Sequence, residues 1–252
     1  MRVLAVLLCV AASARAAVET EPVAYRDGDT ELKGYLARNP AVAGPMPGIL
    51  IVHEWTGLGE HPKNSARRLA ELGYVAFALD MYGGGQLAKD TEQAAEWSAA
   101  YKNDPALARR RFEAALKVLE SQPGVDPDRI AAIGYCFGGT IVLEMARLGV
   151  DVQAVVSFHG GLASQVPQEQ RKYDASVLVC HGADDPHVPQ AEVTAFLDEM
   201  KAAGAKFEFV QYQGAVHSFT NPEAHSESAR FEPTAARRSW IAMLNFLELV
   251  FV

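Results

Sequence analysis

The chain has 252 residues, of which 49% are apolar, and its 31 acidic and 23 basic residues give a net charge of −8. This length suits one α/β core and is too short for two large domains. The acidic charge is scattered along the chain, which argues against nucleic-acid or anionic-membrane binding, so we expect neither as a partner.

The first 16 residues have the pattern of a secretory signal peptide. Met1-Arg2 precedes an apolar run over 3–12, and Ala14-Arg15-Ala16 places small residues where a signal peptidase reads them. The apolar run is too short to span a membrane. We expect cleavage after Ala16, a periplasmic or secreted protein, and a mature single domain over 17–252. The alternative is an N-terminal helix that packs on the core.

The rest of the chain alternates between strand and helix patterns. Strands are predicted at 22–26, 31–37, 48–53, 74–79, 129–133, 154–159, 176–180 and 207–212. Helices are predicted at 65–72, 91–119 with a break at Pro105, 140–146, 191–203 and 235–249. This alternation predicts an α/β fold: a mostly parallel twisted sheet of about eight strands, with helices on both faces and the site at the strand carboxyl ends.

A cysteine lies at a sharp turn from strand to helix, in the sequence GYCFGG from Gly134 to Gly139. Such a turn strains the backbone at Cys136, and its flanking segments pack too closely for a Cβ atom at 134 or 138. The thiol then lies near the positive end of the following helix, which favours a thiolate and leaves backbone N–H groups for an oxyanion. A plain tight turn would give the same pattern, so this motif is weak by itself.

Two later loops hold the partners that a cysteine nucleophile needs. Asp185 follows the strand at 176–180, and His217 follows the strand at 207–212. The order nucleophile, acid, histidine is that of α/β-hydrolases, so we predict Cys136, Asp185 and His217 as a catalytic triad. The alternatives are a helix-capping role for Asp185 and an ordinary loop position for His217.

Five ordered motifs resemble those of the dienelactone hydrolases, cysteine members of the α/β-hydrolase superfamily. They are VHEWTG from Val52, LDMY from Leu79, GYCFGG from Gly134, HGADDPHVP from His181 and VHSF from Val216. The resemblance implies the α/β-hydrolase fold, hydrolysis of a lactone or small carboxylic ester through a thioester, and no cofactor.

The resemblance also assigns roles to three further residues. It implies that Glu54 contacts the resting thiol and moves when substrate binds, and that the backbone N–H groups of Trp55 and Phe137 form the oxyanion hole. The other interpretation of Glu54 is a surface carboxylate at a strand end.

The chain departs from the family pattern where the type enzyme holds its substrate carboxylate with arginines. Gly83-Gly84-Gly85 and Asn221 stand at those positions. A pocket without a guanidinium has no strong bidentate partner for a carboxylate. We therefore expect a substrate other than dienelactone itself, and we expect the glycine run to form either a flexible pocket rim or a plain surface loop.

Two other functions fit parts of the pattern. His53, His159 and His181 each end a predicted strand and could together bind zinc, but no H-x-H or H-x-x-E-H spacing is present, so no metal is expected. The second alternative is a catalytically silent binding protein for a small apolar ligand, which the intact triad order argues against. We expect a monomer or a small homo-oligomer.

Overall fold

The structure is a computed structural model that describes residues 17–252; the predicted signal peptide lies outside the described residues. Eight strands form within this part of the chain: β1 (Glu19–Asp27), β2 (Thr30–Arg38), β3 (Met46–Val52), β4 (Val75–Leu79), β5 (Val125–Tyr135), β6 (Ala154–Phe158), β7 (Ser176–Gly182) and β8 (Phe207–Tyr212). The α-helices described are α1 (Glu60–Glu71), α2 (Thr91–Lys102), α3 (Pro105–Glu120), α4 (Phe137–Arg147), α5 (Gln190–Ala202) and α6 (Pro233–Val250).

The strands form one sheet in the order β1-β2-β4-β3-β5-β6-β7-β8. The β1–β2 and β2–β4 pairs are antiparallel, and every pair from β4 to β8 is parallel. The predicted α/β fold, with about eight mostly parallel strands, is therefore confirmed. Parallel strands place their carboxyl ends on one edge, and the loops after β3, β5, β7 and β8 meet there.

Side chains on the strands alternate between two hydrophobic cores, one on each face of the sheet. In β3, Leu50 and Val52 point into one core, and Ile49 and Ile51 point into the other. Helices α2 to α5 cover the first face, and α1 and α6 cover the second. Strands buried on both faces have nearly continuous apolar sequences, which explains why they were recognisable from composition.

The main difference from the predicted elements is the start of α1. The apolar pattern predicts a helix from 65, whereas α1 begins at Glu60 and contains Pro62 in its first turn. Proline is tolerated there because the first N–H groups of a helix have no intrahelical acceptor. No helix within residues 17–252 is both long enough and apolar enough to cross a membrane.

Candidate active site

The turn between β5 and α4 holds Cys136 in a strained backbone conformation. Its φ is 55° and its ψ is −114°, in a region that a residue with a side chain rarely adopts. A Cβ atom at Gly134 would lie 2.1 Å from the carbonyl oxygen of Gly138, and one at Gly138 would lie 2.2 Å from that of Val52. Neither position has room for a side chain, as the sequence motif predicts.

The structure brings the three predicted triad residues together from three loops. The Nε2 atom of His217 lies 3.0 Å from Cys136 Sγ, and its Nδ1 atom lies 2.8 Å from Asp185 Oδ2. The other oxygen of Asp185 accepts a hydrogen bond of 2.8 Å from the backbone N–H of His187. Asp185 therefore fixes the orientation of the imidazole, and the imidazole faces the thiol.

The electrostatics of these groups favour a charged histidine. Burial acts to lower the pKa of His217, but its hydrogen bonds with Asp185 and Cys136 outweigh burial and raise that pKa to about 10. Burial acts to raise the pKa of Asp185, yet hydrogen bonds from His217 and His187 lower it overall. A protonated His217 beside Sγ stabilises negative charge on the sulfur, as in other cysteine–histidine pairs.

The two backbone N–H groups that the resemblance assigns to an oxyanion hole, those of Trp55 and Phe137, belong to residues that line the cavity containing Cys136. Phe137 is the first residue of α4, so its N–H has no acceptor within the helix. Trp55 follows β3, which pairs with β5 in parallel, with Val52 opposite Gly134. Neither N–H group donates a hydrogen bond to any described residue. The Trp55 carbonyl accepts a 2.8 Å hydrogen bond from the hydroxyl of Tyr82, which fixes this loop.

Glu54 is buried beside the site, and its hydrogen bonds go to residues other than the thiol that the resemblance implies as its contact. Both of its carboxylate oxygens accept hydrogen bonds of 3.0 Å from Nδ2 of Asn221, and Oε2 lies 3.5 Å from Nδ1 of His61. The thiol is hydrogen-bonded to His217 instead. The interpretation of Glu54 as a surface carboxylate is wrong, since the residue is 8% exposed.

His159 supports the backbone turn at Cys136, a role that the sequence did not reveal. It is fully buried, and its Nδ1 accepts a 3.1 Å hydrogen bond from the backbone N–H of Cys136. Its Nε2 lies 2.7 Å from Oγ1 of Thr220. Burial holds the pKa of His159 well below its ordinary value, so the ring is neutral. The backbone φ of His159 is 42°. This conformation and the hydrogen bond to Cys136 arise from tertiary structure, which is why the sequence pattern does not reveal them.

The predicted strand-end histidines do not converge as ligands. In His53, Nδ1 lies 2.6 Å from the carbonyl oxygen of Glu54, and Nε2 accepts from the backbone N–H of Met81. The lone pairs of His53 and His159 are thus already used. Within residues 17–252, no group of three or more histidine, cysteine or acidic residues is arranged to hold a metal.

A cavity of about 390 Å³ opens above the thiol. Trp55, Phe137 and Val188 form its apolar wall, and the polar lining includes Lys102. Glu144 and Glu192 also line it, but no arginine among the described residues does. The volume fits a small organic substrate.

The glycine run from Gly83 to Gly85 does not line this cavity; it forms a surface loop in which Gly84 and Gly85 are exposed. All three residues have positive φ, and the N–H groups of Gly83 and Gly85 donate to the buried carboxylate of Asp80 at 2.9 and 2.8 Å. The run therefore wraps around Asp80, away from the thiol cavity.

Comparisons with known proteins identify the family to which the chain belongs. A model of the dienelactone hydrolase family matches residues 32–251. The chain is 28% identical over 231 residues to a probable 2-oxo-3-(5-oxofuran-2-ylidene)propanoate lactonase from a Bradyrhizobium species, covering 88% of this chain and 90% of the relative. It is 41% identical over 147 residues to an uncharacterized protein of Caenorhabditis elegans, covering 56% of this chain and 92% of that protein.

Among solved structures, the chain is similar to P91, a dienelactone hydrolase-like promiscuous phosphotriesterase from metagenomic libraries. The two are 40% identical, with a TM-score of 0.90 over 94% of this chain and 100% of P91. The family match covers most of the chain, from the second strand to the last helix. The chain therefore belongs to the dienelactone hydrolase family and is an ester or lactone hydrolase.

Proposed function

We propose that the chain hydrolyses an uncharged lactone or small carboxylic ester by nucleophilic catalysis at Cys136. The observation that carries this proposal is the continuous line of hydrogen bonds from Cys136 Sγ through His217 to Asp185, at 3.0 and 2.8 Å. A histidine positioned between a thiol and a carboxylate is the arrangement that activates a nucleophile for acyl transfer.

The reaction proceeds in two halves. The Sγ thiolate attacks the carbonyl carbon, and the N–H groups of Trp55 and Phe137 bind the oxyanion as it forms. Protonated His217 gives its proton to the leaving oxygen, so that the C–O bond breaks and a thioester on Cys136 remains. His217 then takes a proton from water, which attacks the thioester and releases the acid.

The charges around the cavity support an uncharged substrate. Glu144 is paired with Arg147 at 2.8 Å, and Glu192 accepts hydrogen bonds from the backbone N–H groups of Leu162 and Ala163. Neither carboxylate is therefore available to bind a cation strongly. Lys102 in the lining offers an ammonium point charge, but without an arginine there a substrate carboxylate would lack a bidentate partner.

The resting hydrogen bond of the thiol also supports this substrate class. Glu54 is already held by Asn221, and the thiol already faces His217. Activation of Cys136 therefore needs no anionic group on the substrate to draw Glu54 aside. The related P91 is named a phosphotriesterase, and phosphotriesters are also uncharged, so paraoxon belongs in a test panel beside lactones and aryl esters.

The test compares hydrolysis of this panel by the wild-type enzyme, Cys136→Ala and His217→Ala. We expect kcat/KM to fall about 10³-fold or more in each variant, since triad members act as a unit. Cys180→Ala is the matched control, because Cys180 is fully buried and burial raises the pKa of its thiol to about 12. Full activity of Cys136→Ala would overturn the mechanism, and tight binding without turnover of any ester would favour the binding-protein alternative.

We also propose that the protein is exported and processed after Ala16. The support is the sequence of residues 1–16, with its basic start, apolar run and small residues before the cleavage point. N-terminal sequencing of the protein expressed with its full leader should give a chain that begins at Ala17. A mature protein that begins at Met1 would contradict export by this route.

A further inference from the structure

A second cavity lies on the other side of the active-site wall. It has a volume of about 380 Å³, is lined by residues of α1, α6 and the segment from 220 to 233, and shares no lining residue with the cavity above Cys136. This volume lies within the range of small-molecule sites. The proposed reaction at Cys136 does not involve this cavity.

Aromatic side chains form much of its lining. Tyr135 and Phe158 are buried and stacked at 5.0 Å between ring centroids, and Trp240 lies among the lining residues on α6. At the rim, Phe231 is 36% exposed and Ile241 is 49% exposed. A ligand with an aromatic or alkyl body would remove this apolar surface from water.

The fully charged side chains that line this cavity are basic. Arg68 and Arg237 line it, and no aspartate or glutamate does among the described residues. The Arg68 guanidinium lies 3.7 Å from the centroid of the Trp240 ring. Glu232, next to the rim, is engaged as the cap of α6 through the N–H groups of Thr234 and Ala235.

The layer between the two cavities consists of groups that support the catalytic residues. Thr220 and Pro222 line the second cavity, and Asn221 between them directs its side chain to Glu54. His61 also lines the second cavity, with its Nδ1 3.5 Å from Glu54 Oε2. The second cavity is therefore separate from the site of chemistry.

We propose that this second cavity binds a small organic carboxylate with an aromatic or alkyl body. The apolar body packs against Trp240, Tyr135 and the rim residues, and the carboxylate binds the guanidinium groups of Arg68 and Arg237. A guanidinium is the side chain best suited to bind a carboxylate through two parallel hydrogen bonds.

The test is calorimetric titration of the full protein with 4-phenylbutyrate, after Cys136 has been blocked with iodoacetamide and the block verified by mass. The block places a carboxamidomethyl group in the first cavity, which Cys136 lines, and leaves the second cavity unmodified. We expect binding to persist in the blocked protein. We expect Arg68→Gln and Arg237→Gln each to weaken it about tenfold, the order of magnitude of one charge-assisted hydrogen bond.

Three controls keep the result interpretable. Arg68→Lys retains the charge but loses the guanidinium fork, so it should bind more tightly than Arg68→Gln and more weakly than the wild type, which separates loss of charge from loss of folding. Arg38→Gln changes an arginine on β2 outside this cavity and should have no effect. The neutral 4-phenylbutanamide should bind at least about tenfold more weakly than the acid. No binding to the blocked protein, or equal binding of the amide, would overturn the proposal.

Discussion

The chemistry of the site depends at the residue scale on the proton of His217. Hydrogen bonds to Asp185 and Cys136 raise the pKa of His217 to about 10 despite its burial. The imidazole therefore remains protonated at neutral pH and loses its proton only as the pH rises through about 10. A charged His217 both stabilises a thiolate and holds the proton that the leaving oxygen needs.

This charge state predicts the reactivity of Cys136 toward iodoacetamide. In the wild-type protein we expect rapid alkylation at pH 6.5. In His217→Ala the sulfur loses the cationic partner that stabilises its thiolate, so the rate at pH 6.5 should fall about a hundredfold. Mass spectrometry at timed intervals measures both rates. Equal rates in the two proteins at pH 6.5 would show that His217 does not activate the thiol.

Asn221 gives a second prediction at this scale. Asn221→Ala removes both hydrogen bonds to the buried carboxylate of Glu54, and a hydrogen bond to a charged group contributes about 1.5–3 kcal/mol. We expect kcat/KM to fall about tenfold or more, because the released carboxylate disfavours a thiolate nearby. If the effect acts through Glu54, Asn221→Ala should cost much less in a Glu54→Gln background. Additive losses would refute that coupling.

The proximity of Cys136, Asp185 and His217 could be predicted from the sequence, because their chain order and their positions after strands are readable. The partners of Glu54 could not be predicted. Asn221 stands where the family has an arginine, but only the folded chain places it against Glu54. His159 was visible as a strand-end histidine, whereas its hydrogen bond to the Cys136 backbone depends on the pairing of β5 with β6.

At the scale of elements, the site depends on how closely α4 approaches β3. The backbone at Gly138, in the first turn of α4, lies against the carbonyl groups at the end of β3. This contact places the N–H of Phe137 and the loop of Trp55 on the same side of the thiol. A sequence motif indicates that a glycine is needed here, and the structure shows which atoms require it.

A single methyl group at Gly138 should therefore disrupt the site. In Gly138→Ala the new Cβ would meet backbone oxygens of Val52 at 2.2 Å and His53 at 2.7 Å, so β3 and α4 must separate. We expect a lower Tm and loss of most esterase activity, measured by thermal unfolding and turnover. Gly59→Ala is the control, since nothing lies within 4 Å of a Cβ there. A Gly138→Ala protein with wild-type Tm and activity would contradict this account.

The alternating elements could be predicted because buried parallel strands and amphipathic helices have distinct periods. The first turn of α1 could not, since Pro62 and the polar residues around it resemble a loop until the helix is packed on the sheet. The conformation of the glycine run at 83–85 could not be predicted either, because it also depends on a contact with another part of the fold. Its turn forms around the Asp80 carboxylate, which comes from the end of β4.

At the scale of the whole molecule, a buried ion cluster joins elements around the active-site cavity. Arg147, at the end of α4, is fully buried and bonds to Glu144 at 2.8 Å, to Glu199 of α5 at 2.8 Å, and to the carbonyl oxygen of Leu162 at 2.7 Å. These contacts tie α4, α5 and the segment after β6 together. Glu144 also lines the cavity, so the cluster shapes the site as well as the core.

Removal of this guanidinium should strongly destabilise the protein. Arg147→Met leaves the buried Glu144 without its cation, and breaking a buried ion pair in this way costs about 3–5 kcal/mol. Urea unfolding should show a decrease of that order in the free energy of unfolding. Arg38→Met, which breaks a surface pair with Glu19 at 3.3 Å, should cost less than about 1 kcal/mol. Equal losses in the two variants would show that the cluster adds little.

The measurement that tests the central claim most directly is intact-protein mass spectrometry during turnover of activated esters and lactones. The account predicts an acyl adduct on the wild-type protein that decays as product forms, persists in Cys180→Ala and is absent from Cys136→Ala. Hydrolysis at the wild-type rate by Cys136→Ala, or turnover of a slowly deacylating substrate without any adduct, would contradict nucleophilic catalysis at Cys136.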